Sequence, residues 1–325
     1  MRLPTSRGPL SDVVAGLLKR PVTTQTVDFP VPDETRPDDE AITLWMLHEL
    51  HYRGFDDVDE AWEWAPVLMP LRHRLERNLE LSLRRRFAAG RPLRRGPAAD
   101  GASDVVSDIE AVITASEGRS LARHVQRHAS REETLHLLRQ RSIYHLKEAD
   151  PTTWVVPRLE ATTKAALVQV QYDEYGVGDP ARLHHELFAR GLAASGLDRD
   201  YGAYIDETLL PVLEQNNALS LFGLHRRLRG AALGHLAVFE ATSSVPSRQL
   251  AQGLARLEFP DAMVEYYDEH VEADAVHEQL VLHDVCAALV AAEPDQHDEV
   301  LFGAWSCLDL EARTAEALLD DWEVA

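Results

Sequence analysis

The chain has 325 residues, with 54 Asp and Glu against 33 Lys and Arg, and a formal net charge of -21. Hydrophobic residues make up 45% and charged residues 27%, a globular composition that excludes extended disorder and allows one large domain or two modest ones. With so negative a chain, no basic field exists to displace phosphate counterions or to dock on an anionic membrane, so neither nucleic acid nor membrane is an expected partner.

Residues 1–40 hold several prolines and no clean period, and read as an irregular leader without the apolar core of a signal peptide. Asp38–Glu40 open a predicted helix, ITLWMLHELHYRGF, that Gly54 ends. Its HELH, at 48–51, is not HExxH and reads as an ordinary amphipathic helix. Asp59–Trp64 and Leu71–Phe87 are predicted helical, and Trp45, Trp62 and Trp64 are expected in core or dimer packing. The basic run Arg84–Arg95 is expected to pair with the chain's own acids. RPLRRGPAADGAS, at 91–103, has a linker composition. This divides the chain into an N-terminal helical extension, 1–105, a candidate dimerisation region of which 40–90 is expected to pack on the bundle or on a second subunit, and a main domain, 106–325.

From there the pattern is helix upon helix: 104–116, 119–128, 130–147, 158–175, 180–195, 198–215, 217–243, 246–257, 260–291 and 296–321. Strand-like alternation is scarce, so the predicted fold class is an all-α bundle. No stretch approaches the roughly 20 apolar residues of a membrane span. Cys286 and Cys307 form no disulfide framework and are too few for a Cys-ligated zinc or iron–sulfur site. A reduced, cytoplasmic protein is expected. Fifteen histidines beside many acids would suit a metal site of nitrogen and oxygen ligands.

The clearest chemical signal is MVEYYDEHVEADAVHEQLVLHDV. His270, Asp274 and His277 stand at i, i+4 and i+7, within roughly 60° of one another on a helix. Tyr267 and Val281 extend the stripe, which points it inward. A solvated face of mixed charge is the competing reading. In AALGHLAVFEATSSVP, Glu240 shares a helix face with Leu233, Leu236 and Ala237. A carboxylate there needs a cation or a strong donor, and RRLRG just upstream offers arginines instead of a metal. In KAALVQVQYDEYGVGDPARLHHELF, Glu174 shares a face with Leu167, Val170 and Gln171. Gly176 and Gly178 stop that helix, and Asp179 and Pro180 start another. The turn lets Glu174 and His184 converge, with His185 as the alternative inward residue. Leu137, Arg141, Tyr144 and Glu148 form a further stripe, at whose end Glu148 faces either the interior or solvent. Three imidazoles and three carboxylates suit two metals better than one, and imidazoles favour iron over magnesium or calcium.

The glutamate of YDEYG, the histidine ten residues on in LHHELF, the glutamate of GHLAVFE and the H-x-x-x-D-x-x-H of EHVEADAVH occur in the order and spacing of a known family. On these motifs, over about 140–320, the chain resembles the heme-oxygenase-like diiron oxidases and oxygenases, the iron-containing redox enzymes, and is nearest to their N-oxygenating members. The resemblance implies a heme-oxygenase-like seven-helix bundle without heme, with two iron ions (Fe2+/Fe3+) as cofactor and O2 as co-substrate. It implies that Glu174, His184 and Glu240 mainly serve one iron, and His270, Asp274 and His277 the other. Glu148, in HLKEADP, stands where some N-oxygenating members have an extra glutamate. The function implied is O2-dependent N-oxygenation of an amine in small-molecule biosynthesis, through a peroxo-diiron species. The alternative is oxidative C–C cleavage, decarboxylation or desaturation of an amino or fatty acid. An external electron donor, a small-molecule substrate and a homodimer are the expected partners.

Three other readings compete. A ferritin-type bundle would use two ExxH motifs, and Glu133–His136 supplies one. A true heme oxygenase would need an axial histidine in an early helix. A helical interaction protein without catalysis would need none of these ligands.

Overall fold

The computed structural model describes residues 1–22, 35–90, 104–116 and 118–323; within these, the side chains of 272–276 are not described. The proposed linker, 91–103, lies outside the described residues. Every regular element among the described residues is helical, so the described chain is all-α, as expected.

The first helix, α1 (Pro9–Leu18), lies inside the stretch read from sequence as irregular. Its N-cap, Gly8, has no side chain to accept from the first turn, so the local marks of the start are Pro9 and the Ser11 hydroxyl, which accepts from the Gly8 N–H. Asp39, wholly buried in α2 (Pro37–Glu49), accepts from the backbone N–H groups of Leu10 and Ser11 at 2.9 and 2.8 Å. A carboxylate 28 residues away thus satisfies donors that a helix start leaves open. Leu10, Val14 and Leu18 then bury one face.

Helix α2 is not the amphipathic helix expected. Its residues from Ala41 to Glu49 are all buried, His48 among them. The imidazole of His48 lies 3.1 Å from Glu76, which also binds Arg72 and His225. Trp45 and Trp62 are core residues, as expected, but Trp64 is 61% exposed and only stacks on His51. Helix α3 (Met69–Gly90) follows; of the basic run, Arg84 pairs with Glu299 and Glu80 and Arg86 with Asp309, as predicted, while Arg91, Arg94 and Arg95 lie outside the described residues. Side chains from α1 and α2 share one hydrophobic cluster with those of the later helices, and Asn217 donates to the Ala41 carbonyl. Residues 37–90 therefore pack on the bundle.

The remaining helices are α4 (Val105–Thr114), α5 (Leu121–Arg127), α6 (Arg131–His145), the single turn α7 (Asp150–Thr153), α8 (Ala161–Glu174), α9 (His184–Ala194), α10 (Leu210–Leu224), α11 (Arg229–Arg256), α12 (Asp261–Gln279), α13 (Ala288–Ala292) and α14 (His297–Asp321). A π-helical stretch, Leu280–Ala287, joins α12 to α13 without a break. Several boundaries depart from the sequence reading. Residues 198–209 form turns and one short 3-10 helix (Ile205–Glu207), α10 runs through the break expected at 216, and α11 runs straight through Pro246. The Thr242 carbonyl loses its helix partner there, since proline has no N–H to donate.

Helix α11 is central, packing on α12, α14 and α5. Its crossing with α14 is closed by paired glycines. A Cβ on Gly303 would fall onto the Ala231 carbonyl, and one on Gly234 onto the Val300 carbonyl. Both contacts are with backbone, which cannot rotate away. Gly303→Ala is therefore expected to destabilise the chain by about 1–3 kcal/mol or more, read as a lower urea midpoint. An unchanged midpoint would mean that the helices separate freely at this crossing.

Candidate metal centre

Five elements, the turn after α6 and helices α8, α9, α11 and α12, bring acids and imidazoles together inside the bundle. Helix α8 ends at Glu174 because Gly176 (φ 68°) and Gly178 (φ 84°) take left-handed conformations. The chain passes so close to itself at this turn that a Cβ on Gly176 would meet the Arg182–Leu183 backbone. It re-enters helix at His184. Glu174 Oε2 comes to 3.2 Å from His184 Nδ1. Of the two adjacent histidines it is buried His184, not half-buried His185, that faces the acids.

Two groups of ligand atoms result. Glu148, His184 and His270 form one; Glu174, Glu240 and His277 form the other; within each, the ligand atoms lie within 4.8 Å of one another. The division differs from the one the resemblance implied, in which Glu174, His184 and Glu240 belonged together. Helix crossing decides it. Turns of α12 apart, His270 faces the 146–148 turn, while His277 faces the ends of α8 and the middle of α11. Glu174 stands between the groups, with Oε1 4.0 Å from His277 Nδ1 while Oε2 faces His184. The side chain of Asp274 lies outside the described residues.

Each α12 histidine has one ring nitrogen fixed by a neighbour. His270 Nδ1 donates to the Tyr266 carbonyl at 2.8 Å, which leaves Nε2 facing Glu148 at 3.9 Å. His277 Nε2 lies 3.2 Å from Asp173, which leaves Nδ1 facing Glu240 at 3.4 Å. Fixing one nitrogen by hydrogen bonding sets the other as a lone-pair donor. Arg227 and Arg229, the alternative partners for Glu240, bind Glu80 and Glu293 instead.

The electrostatics match this geometry. Burial lowers the His184 pKa, but Glu174 outweighs it and brings the imidazole to about 9. His277 is likewise lowered by burial and raised more by Glu240 and Asp173, again to about 9. Burial resists ionisation of Glu174, yet His184, His270 and His277 hold its carboxyl below the usual range. His270 is drawn down to about 4 by burial and by the His184 charge. The protein thus gathers carboxylates and imidazoles that hold protons where a cation would fit.

The Nδ1 atoms of His184 and His277 make no hydrogen bond of normal geometry, although carboxylates lie close by. Convergent, buried nitrogens and oxygens of this kind fit divalent iron, whose ligands must shed their protons on binding. No thiolate is near; Cys286 and Cys307 are buried elsewhere in the core.

Three flanking residues escaped the sequence reading. Asp173, one residue before Glu174, fixes His277. Tyr266, four before His270, bonds His145 at 2.7 Å and Glu148 at 3.1 Å through its hydroxyl. His145, three before Glu148, lies 2.9 Å from that carboxylate. Their helical offsets from the ligands are the only sequence signal they carry. Glu133 and His136, by contrast, take no part: Glu133 caps its own helix at Ser130, and His136 contacts Trp322.

Asp173→Asn is expected to weaken Fe(II) binding by about 10-fold, because the amide removes the charge that orients and strengthens the His277 donor. An anaerobic Fe(II) titration reads this, and equal affinity of variant and parent would remove Asp173 from the centre.

No curated protein matches the chain. A crystal structure of a CADD-like protein of unknown function from Nostoc punctiforme is similar at 16% identity, with a TM-score of 0.48 over 76% of this chain and 97% of that one. None of the described helices is long and apolar enough to cross a membrane. The family model for iron-containing redox enzymes matches residues 135–312, which hold every candidate ligand. With more than half of its length matched, the chain belongs to the iron-containing redox enzyme family.

Proposed function

We propose that this oxidoreductase is a nonheme diiron oxygenase that N-oxygenates an amine substrate. The observation that carries the reading is the pair of adjoining three-ligand groups with Glu174 between them. One mononuclear site would not use six ligands in two sets, whereas a shared carboxylate lets two cations sit side by side. Glu148, a member of one group, favours the amine reading over oxidative C–C or C–H cleavage, because the resemblance associates it with N-oxygenating relatives.

Glu148, His184 and His270 would hold one iron, and Glu240 and His277 the other, with Glu174 shared. Two such ions would supply the electrons that activate O2, with an external donor restoring them. The chain's own residues do the rest. Tyr266 and Asp173 keep the α12 imidazoles turned toward the acids. The carboxylates neutralise the cations. The cavity beside Glu148, Glu174, Glu240 and His270 has a volume of about 20 Å³, room for a water-sized molecule.

The test is anaerobic Fe(II) loading followed by stopped-flow mixing with O2. Two irons per chain are expected, with a long-lived optical band that decays faster with amines than with carboxylic acids lacking an amine. Acceleration by amine-free carboxylic acids alone would sink N-oxygenation. Failure to take up iron, with no effect of His270→Ala, would sink the metal centre.

A further inference from the structure

The 20 Å³ space at the metal centre is too small for an organic substrate. A cavity of about 410 Å³ lies further along the same two helices. Leu137 and Arg141 of α6 and Thr242, Pro246 and Leu250 of α11 line it. On α6 the stripe continues through Tyr144 to Glu148, and on α11 through Phe239 to Glu240. The Tyr144 and Phe239 rings touch, with centroids 5.2 Å apart, where both stripes pass from cavity to metal centre. Tyr144 and Phe239 line the small space and, one turn along each helix, Arg141 and Thr242 line the larger one, so this ring pair is the partition a substrate chain must pass.

The cavity is lined by two arginines and one acid, Glu311; Arg119 is paired with Asp320 at 2.6 Å, and Arg141 is the arginine beside Glu311. Its side chain is 18% exposed, and its guanidinium makes a single protein hydrogen bond, from Nη2 to Glu311 at 3.0 Å. Nε is buried and has no hydrogen-bond partner. Two neighbouring groups are in the same condition. The Tyr267 hydroxyl is buried without a hydrogen bond, and so is Nε2 of His145, one turn along α6. The Arg141 charge reaches both groups. A guanidinium carries five donors in a fork that matches a carboxylate, and leaving buried donors unmatched costs stability. Glu311 is already occupied by Arg141 and Gln215.

We propose that Arg141 anchors the carboxylate of the substrate in this cavity, with the chain running past Tyr144 and Phe239 so that its far end reaches the metal centre. Seven residues separate Arg141 from Glu148, roughly 10 Å at 1.5 Å per residue. The substrate class is therefore a carboxylate with an apolar middle and an amine about eight to nine bonds away, which spans that distance at the ~1.2 Å advance per bond of an extended chain. The identity of the reacting end rests on the N-oxygenation reading; the anchor itself does not.

The test uses the full chain without metal and reads binding by calorimetry. The ligands are ω-aminooctanoate and the matching ω-amino-octanol, which differ only in the carboxylate. The acid is expected to bind at least 10-fold more tightly than the alcohol, and Arg141→Gln to abolish that preference. Should Arg141→Gln unfold because Glu311 is left unpaired, the charge-balanced pair Arg141→Gln with Glu311→Gln replaces it. Equal binding of acid and alcohol, or a preference that survives in either variant, would overturn the anchor. Selective acid binding by a chain that takes up no iron would keep the anchor and reject the oxygenase. Iron uptake and O2 consumption without carboxylate preference would do the reverse.

Discussion

Glu174→Ala is expected to remove iron from both halves of the centre, whereas Glu148→Ala removes it from one. Among the described carboxylates of the centre, Glu174 is the one whose two oxygens face the two groups, His184 on one side and His277 on the other. Removing it leaves each prospective ion a single carboxylate among the described ligands, Glu148 or Glu240, which neutralises only half of a divalent charge. Loss of a direct ligand should exceed the 10–100-fold loss typical of an outer-shell residue, so Fe(II) stoichiometry should fall from two per chain toward none. Glu148→Ala leaves Glu174, Glu240 and His277 in place, and should leave about one. Anaerobic loading followed by iron assay and Mössbauer spectroscopy distinguishes the two variants. If both lose the same single iron, Glu174 does not bridge and the centre holds separate ions.

The same geometry predicts how iron binding responds to pH. His184 and His277 each hold a proton up to about pH 9, because burial, which opposes it, is outweighed by Glu174 in one case and by Glu240 in the other. An imidazole must be neutral to bind metal, so iron competes with those protons below pH 9. Apparent Fe(II) affinity should rise between pH 7 and 9 by up to about tenfold per pH unit for each proton released. The metal-free chain should behave oppositely. A histidine whose folded pKa is raised adds stability that is complete below its unfolded pKa of about 6.5. That stability is lost as pH climbs through about 9, so urea midpoints of the metal-free protein should decline over this window. Proton release measured during iron titration checks the first expectation. A pH-independent affinity would mean that these two histidines are not ligands.

Features of the centre set by local geometry were legible in the sequence. The i, i+7 spacing of His270 and His277 fixes a common helix face, and Gly176 fixes the turn that returns His184 to Glu174. What crossing helices decide was not legible. Which acid meets which imidazole depends on where α6, α8 and α11 pass α12, and no spacing along one helix encodes that. Asp173 was missed because an acid beside Glu174 on a half-exposed face looks like any solvated residue. Helix α1 was missed for a related reason, since its cap comes from Asp39 and not from its own N-terminus. Pro246 misled in the other direction. A helix interior is a poor place for proline, yet α11 continues through it, and the carbonyl it frees belongs to a residue lining the larger cavity.

The second large effect is expected at the junction between α2 and the turn that carries Glu148. Glu49 is wholly buried, and its Oε2 accepts from Lys147 Nζ and from the Tyr201 hydroxyl, both at 2.8 Å. Lys147 is only 3% exposed and lies over the Tyr52 ring. One residue back, the Leu146 carbonyl accepts from Arg53 at 2.8 Å. The end of α2 therefore holds the 146–148 turn at two successive residues. Lys147→Met leaves the Glu49 charge buried opposite an apolar side chain, which should cost about 3–5 kcal/mol. Replacing both partners, Glu49→Met with Lys147→Met, removes the stranded charge and should recover most of that loss, since an apolar pair of similar volume often matches a buried ion pair. Iron binding separates structural support from positioning. If the ion pair serves stability alone, the stable double variant keeps two irons at parental affinity. If it aims Glu148 at His184 and His270, the double variant folds but binds one of the two irons about 10-fold more weakly, and restoring Glu49 and Lys147 restores it. The placement of Lys147 directly before Glu148 favours the second outcome. On that account the N-terminal helices hold in place a ligand that the family-matched segment supplies.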